Sequence, residues 1–281
     1  MIWKKDRLRP TQPYLVFNTI DFRQEIYLKN GISHFYSCHL KEDTSLCLVP
    51  DGCIDIFFEY GEDFMQGYVI GTRLKCDIES FEGTREIFGV RFMPGIQPEL
   101  IRSTMRELLE KKIPIEEVLN CDGKWLLDME SEADFSKRID IFLKAYMQKE
   151  REKPAPFGKK EILNSIKQMV YDSDGTIKVH ELSEQAGYSE RYINRIFIEE
   201  MGFSPKIFCK IIQFQRALEF LNYGAPDKMT DAAVFLGYYD QPQFIRDFSR
   251  YAGITPKKYL DLVKKYNYRN KVQSGTDFYN L

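Results

Sequence analysis

Net charge is almost absent from this chain. Forty basic side chains stand against 42 acidic ones over 281 residues, leaving −2. That balance excludes a simple nucleic-acid binder with a basic surface throughout, so affinity for a polyanion has to come from local placement of Arg and Lys. Histidine is scarce, with three in the chain, too few for a metal enzyme that gathers several imidazoles and carboxylates on one centre. The six cysteines (Cys38, Cys47, Cys53, Cys76, Cys121 and Cys209) contain no CxxC pair and are expected to be mostly reduced and structural. No apolar run approaches the roughly 20 residues of a membrane span. The opening MIWKKDRLRP lacks the apolar stretch of a signal peptide. A GxSxG nucleophile elbow and a P-loop are both missing. These absences predict a cytoplasmic protein with no membrane partner, no metal, no cofactor and no catalytic activity.

What the chain does contain is a duplication in its last third. LSEQAGYSERYINRIFIEEMGFSPKIF, from Leu182 to Phe208, is echoed by AAVFLGYYDQPQFIRDFSRYAGITPKKY, from Ala232 to Tyr259. Gly187 and Tyr188 match Gly237 and Tyr238 at an offset of 50. After the turn the offset becomes 51, pairing Arg195 with Arg246, Phe197 with Phe248, Gly202 with Gly253 and Ser204-Pro205 with Thr255-Pro256. Two copies are too few for a solenoid, so each is expected to be a small working unit.

Each copy predicts helix, turn, helix. In the first, Lys178 to Ala186 forms a short helix that Gly187 ends and Ser189 caps the next one. Tyr192, Ile193, Ile196, Phe197 and Met201 give that second helix an apolar stripe, with Glu190, Arg191, Asn194, Arg195 and Ile198 on its other face. In the second copy Asp231 and Asp240 serve as caps. Phe244, Phe248 and Tyr251 face inward, and Gln241, Gln243, Arg246 and Arg250 face out. Two helices joined by a glycine-containing turn form the motif whose second helix enters a DNA major groove. A connecting helix spans about Lys206 to Asn222.

AGYSERYINRIF, GFSPKIF, QRALEFL, LGYYDQPQFIRDF and GITPKKY together resemble the C-terminal DNA-binding domain of the AraC/XylS family of bacterial transcription regulators, over about Lys159 to Tyr266. Two departures stand out. Gln213 occupies a place where the family usually has Arg, and Pro242 one where a small polar residue is usual. Proline is tolerated in a first helical turn. The resemblance implies that Arg195 and Arg246 face DNA. Arg191, Tyr192, Asn194 and Gln243 are expected in the same grooves, and Ser189 and Gln241 at phosphates.

The front of the chain differs in kind. Residues before Gly158 carry 22 basic against 27 acidic side chains, and those from Gly158 on carry 18 against 15. From Met1 to about Met93 short apolar stretches alternate with turn residues, predicting strands at Ile32 to Cys38, Ser45 to Val49, Ile54 to Tyr60, Tyr68 to Gly71 and Ile87 to Met93. Helices are predicted at Pro98 to Lys111, Ile115 to Asn120 and Ala133 to Lys149. The fold class is therefore multidomain. An α+β domain over 1–150, a barrel- or sandwich-like sheet with flanking helices, precedes a linker at 151–158 with charged and proline residues. An all-α domain over 159–270 holds helix-turn-helix units at about 178–202 and 230–253, and a tail covers 271–281. LVPDGCIDIFFEY and GTREIFGVRFMPG resemble a β-rich N-terminal domain found on some AraC-type regulators, which suggests sensing.

Within that domain Asp55, Phe57 and Arg91 are the candidate effector-pocket residues. Strand alternation sets Asp55 and Arg91 among hydrophobic side chains, as a structural ion pair, as a solvent-facing surface or as polar groups of a pocket. His34, Cys38 and His39 split between two strand faces and have no second cluster at zinc spacing. A methyl-accepting cysteine of the alkylation-repair type would need a Pro-Cys-His-Arg setting that no cysteine here has. The reading is a regulator whose partner is double-stranded DNA. A small-molecule effector, a homodimer through the apolar stripe of Ala133 to Lys149, and RNA polymerase in the case of an activator are further expected partners. The alternative is a ligand-binding or enzymatic front domain with a protein-binding rear half.

Overall fold

The computed structural model describes residues 9–41, 44–120, 122–151, 158–224, 229–274 and 276–278. Helix α1 (Pro13–Asn18) leads into strands β1 (Arg23–Lys29), β2 (Ile32–His39), β3 (Thr44–Leu48), β4 (Asp55–Tyr60), β5 (Met65–Ile70), β6 (Asp77–Phe81) and β7 (Glu86–Phe92). Then come α2 (Met105–Leu108), β8 (Lys112–Pro114), α3 (Ile115–Val118), α4 (Trp125–Ser131) and α5 (Phe135–Arg151). Seven strands form one sheet in the order β8-β5-β4-β7-β2-β1-β9, where β9 is Thr276–Phe278, and β3 pairs with β6 as a separate ribbon. Every pairing is antiparallel except β1 with β9.

Strand alternation gives the large sheet two buried faces. Phe35, Ile56, Phe58, Val69, Phe88 and Val90 point to one side. There they meet the stripe of α5, with Phe142 against Phe35 at 6.0 Å and Phe135 against Phe88 at 5.7 Å. The apolar stripe from which self-association was expected is thus taken up by the chain's own sheet: Phe135, Ile139, Phe142 and Tyr146 are all buried. The other face carries Tyr36, Cys38, Phe57 and Ile87 and is covered by α1 and by Leu46 and Phe81 of the ribbon.

Sequence expectation and structure part in instructive places. The helix expected over Pro98 to Lys111 shrinks to α2, started by a Thr104–Glu107 capping box. The following Lys112 to Pro114 joins the sheet edge instead, beside β5. Helix α1 falls in a stretch read as β, because a six-residue helix with five buried positions shows no polar face. The linker expected at 151–158 lies, from 152 to 157, outside the described residues, as does Cys121. Cys47 and Cys76 are not separate thiols, as composition led one to expect. They form a disulfide with Cα atoms 5.9 Å apart, while Cys38, Cys53 and Cys209 are free and buried.

The rear domain is built of helices: α6 (Lys159–Asp172), α7 (Val179–Ala186), α8 (Glu190–Met201), α9 (Pro205–Tyr223), α10 (Met229–Phe235), α11 (Gln241–Ala252), α12 (Pro256–Lys265) and α13 (Tyr268–Ser274). The segment read as a tail therefore begins inside α13, whose Val272 is buried. None of the described helices is long and apolar enough to cross a membrane.

The two domains share their interior. One apolar cluster runs from the sheet and α5 into Leu182, Ile193, Phe197, Phe208 and Ile211, and a second from α1 into Phe214, Phe244, Phe248 and Tyr259. Polar bonds cross the same boundary. Lys167 Nζ donates to the Gly95 carbonyl at 2.7 Å, Gln215 Nε2 to the Pro50 carbonyl at 2.7 Å, and Tyr14 Oη to the Ala252 carbonyl at 2.7 Å.

Gly175, in the turn before α7, has φ +76°, and a Cβ there would lie 2.2 Å from the Cys209 carbonyl oxygen. Gly175→Ala should therefore lower stability by on the order of 2 kcal/mol, combining a left-handed backbone with a backbone clash. Urea denaturation checks this, and an unchanged midpoint would mean that the turn does not rest on α9.

Candidate nucleic-acid interface

Both second helices of the repeat are started the same way. Ser189 Oγ accepts from the Tyr192 N–H at 3.3 Å to open α8, and Asp240 Oδ1 accepts from the Gln243 N–H at 2.7 Å to open α11. Pro242 falls in the first turn of α11, where its missing N–H costs nothing. Gly187 and Gly202 bracket α8 in the left-handed conformation. Buried Ile193, Ile196 and Phe197 fix the roll of α8, as Phe244 and Phe248 fix that of α11. With the inner stripe fixed, Arg191, Arg195 and Arg246 are left exposed and Tyr192, Asn194, Gln241 and Gln243 partly so.

The two arginines are not equivalent. Arg195 lies over the Tyr192 ring at 5.1 Å and 3.9 Å from Glu199, which also holds Lys159 at 2.9 Å. Tyr192 in turn stacks on Tyr188 at 5.2 Å. Arg246 makes no ion pair among the described residues. Asn194 turns its amide back to the Glu190 carbonyl at 2.9 Å, and Gln243 Oε1 accepts from the Tyr239 N–H at 3.0 Å. Gln243 thus supports the start of α11, while Asn194 bonds back along α8.

Between the two units lies a cleft of about 580 Å³, bordered by Lys178, Lys206, Lys210, Asn194 and Gln213. Gln213 is buried. Its Nε2 donates to the Leu236 carbonyl at 2.9 Å, so it braces α10 against α9. A Cβ on Gly237 would lie 2.5 Å from Thr176, so the lead-in of the first unit touches the turn of the second. Gln213 and Gly237 thus join the two helix-turn-helix units to each other.

Buried charge gathers under α1. Arg91 Nε donates to Asp55 at 2.8 Å, Tyr36 Oη donates to Asp55 at 3.1 Å, and Asp51 lies 3.7 Å from Arg91. Gln12 Nε2 donates to Asp51 at 2.8 Å. Burial pushes the Asp51 carboxyl above the usual range against the pull of Arg91. Asp55, Phe57 and Arg91 line one cavity with Tyr36, Ile70, Arg73 and Phe81, and its free space is about 30 Å³, roughly enough for one water. His34 is buried beside Ser33 while His39 is exposed on Asp21 at 2.9 Å, so the histidine–cysteine group is not brought together.

A helix-turn-helix domain model matches residues 182–261, and the model of a domain of unknown function, DUF6597, matches residues 25–114. The rear domain is an AraC-type helix-turn-helix domain. The chain is a DNA-binding transcription regulator.

Solved structures similar to this chain include the C-terminal domain of AraT, a response regulator from Geobacillus stearothermophilus. It is 23% identical, covers 36% of this chain and 84% of its own, and has a TM-score of 0.33. ToxT from Vibrio cholerae is 11% identical over 86% of this chain and 98% of its own, with a TM-score of 0.48. A probable AraC family transcriptional regulator from Rhodopseudomonas palustris is 25% identical over 37% of this chain and 97% of its own, with a TM-score of 0.33. No curated protein matches the chain.

Sequence reasoning overlooked one residue of the AraC-type domain. Tyr239 is 93% exposed in the turn before α11. It is the extra residue that lengthens the repeat offset from 50 to 51, a signal already present in the alignment of the two copies.

Ser189→Ala and Asp240→Ala should each cost about 1 kcal/mol through the lost cap, whereas Ser189→Asp keeps it. Equal urea midpoints for all four proteins would show that these side chains do not hold the recognition helices.

Proposed function

We propose that each chain reads two successive major grooves, through α8 and α11, under the control of a small molecule held by the N-terminal domain. The observation that carries the reading is the duplicated recognition helix, with the same cap position, the same apolar inner stripe and an outward arginine at the matched place. The 19 residues of α9 give a rigid spacer of about 28 Å at 1.5 Å per residue. That is somewhat short of the roughly 34 Å between successive major-groove faces. DNA that bends toward the protein makes up the difference. Support for effector control is the cavity at Asp55, Phe57 and Arg91 in a domain that shares its core with both reading units.

Arg246, unpaired among the described residues, is the stronger candidate for bidentate recognition of guanine. Arg195 must first leave Glu199 and the Tyr192 ring. Arg191, Asn194 and Gln243 line the same helix faces. Ser189 and Gln241 stand at the helix starts, where N–H groups meet phosphate. Dimer formation would need a surface other than the buried stripe of α5.

Arg246→Ala should lose about 1–3 kcal/mol on the preferred site and relax choice at one base pair. Arg195→Ala should lose less, because breaking its internal contacts offsets part of the gain. Binding of both variants to specific and scrambled DNA at several salt concentrations decides this. Equal losses on both DNAs, with the salt slope lower by about one, would assign the residue to a phosphate. A footprint confined to one helical turn per monomer would overturn two-groove reading.

A further inference from the structure

The ammonium of Lys112 sits in a cage. It lies 4.3 Å from the ring centre of Tyr68, 5.2 Å from Phe81 and 5.6 Å from Phe57. Carboxylate oxygens of Glu59 and Glu79 approach it at 2.8 and 3.1 Å. Several aromatic faces and acidic groups around one nitrogen cation make the environment in which proteins hold organic ammonium ions. Here the chain fills it with its own side chain.

Three further observations show that the cage is more than an internal ion pair. First, Phe57 and Phe81 also line the cavity that ends at Asp55 and Arg91, so withdrawal of Lys112 would open cage and cavity into one space. Second, Lys112 stands on β8, a three-residue edge strand paired only with β5. Its four-carbon stem, 18% exposed at the side chain, can swing to solvent without disturbing the sheet interior. Third, the charges favour a cation. Asp51, Asp55, Glu59 and Glu79 face Arg73, Arg91 and Lys112, so removing Lys112 leaves two carboxylates in excess. An anion would find Arg91 engaged by Asp55 and Asp51, and Arg73 by Glu79. Arg73 Nε, buried without a hydrogen-bond partner among the described residues, leaves a donor for an oxygen of the ligand.

We propose that the cage and its adjoining cavity are the effector site of the N-terminal domain, and that the ligand is a small organic ammonium ion that takes the place of Lys112. The proposal rests on the reading of the chain as an effector-controlled regulator. A route to DNA lies close by. Glu110, two residues before Lys112, accepts from Arg73 through its carbonyl and donates its N–H to the Thr72 carbonyl at 3.1 Å. Arg106 and Leu109 pack against Gly202 at the end of recognition helix α8. Releasing Lys112 therefore loosens the corner on which α8 ends.

The test is thermal denaturation of the full chain with butylammonium and hexylammonium, using butyrate as the anionic control. DNA affinity is measured in the same solutions. Both ammonium ions should raise Tm saturably in the wild type and alter DNA affinity, and butyrate should do neither. Lys112→Ala should respond at about a tenfold lower concentration, since a tethered competitor has been removed. Lys112→Met serves as a second variant should the alanine protein fold poorly, and Glu79→Gln should weaken the response. No saturable response in the wild type, or a response only in the Lys112 variants, would make Lys112 a permanent structural cation and overturn the site. Equal action by butyrate would overturn the choice of ligand. Saturable ammonium binding with unchanged DNA affinity would keep the cation site and overturn its control of DNA.

Discussion

Helix α9 is mostly buried, and the rest of the molecule is arranged around that fact. Thirteen of its nineteen residues are buried. A helix buried to that extent is a core element, packed on by other parts of the chain. Phe208 and Ile211 turn toward the loop before β4, where Gly52 leaves room for them, Phe208 also meets Gly95 after β7, and Phe214 faces α11. The polar side chains on α9 then have no freedom either. Gln213 must find the Leu236 carbonyl and Gln215 the Pro50 carbonyl, because a buried amide without a partner costs more than its bond returns. These amides fix the rotation and height of α9 against both neighbours.

The same logic governs the charged face of the sheet. Three cations and their carboxylates are enclosed beneath α1 and the ribbon, where a buried ion pair gains little over a hydrophobic one but suffers badly when one partner is removed. Such a face is a poor source of stability and a good place for recognition. Its side chains already hold the geometry and partial desolvation that a ligand would otherwise have to impose.

Much of this was legible in the sequence where local chemistry leads. The repeat could be read because Ser/Thr-Pro starts and glycine stops are dictated by backbone geometry at each helix end. Strands β2, β4 and β7 could be read because both of their faces are buried and carry long apolar runs. The edges could not. RQEIYLK of β1 and DIESF of β6 alternate weakly. KIP of β8 contains a proline that only an edge position tolerates. At the candidate interface, the outward placement of Arg195 and Arg246 followed from spacing, but the Glu199 contact and the side-chain bonds of Asn194 and Gln243 to nearby backbone depend on rotamers. At the charged face, the Asp55–Arg91 pair was visible from alternation. The Lys112 cage was not, since it joins residues 59, 79 and 112 across three strands.

Among the described residues, the N-terminal domain meets α8 and α11 at their C-terminal ends. Arg106 and Leu109 lie against Gly202, the cap that follows α8, and the Tyr14 hydroxyl donates to the Ala252 carbonyl at the end of α11. The outward Arg195 and Arg246 stay exposed. The domain holds each helix as a hand holds the handle of a tool, and a small displacement at the grip becomes a change of angle at the tip.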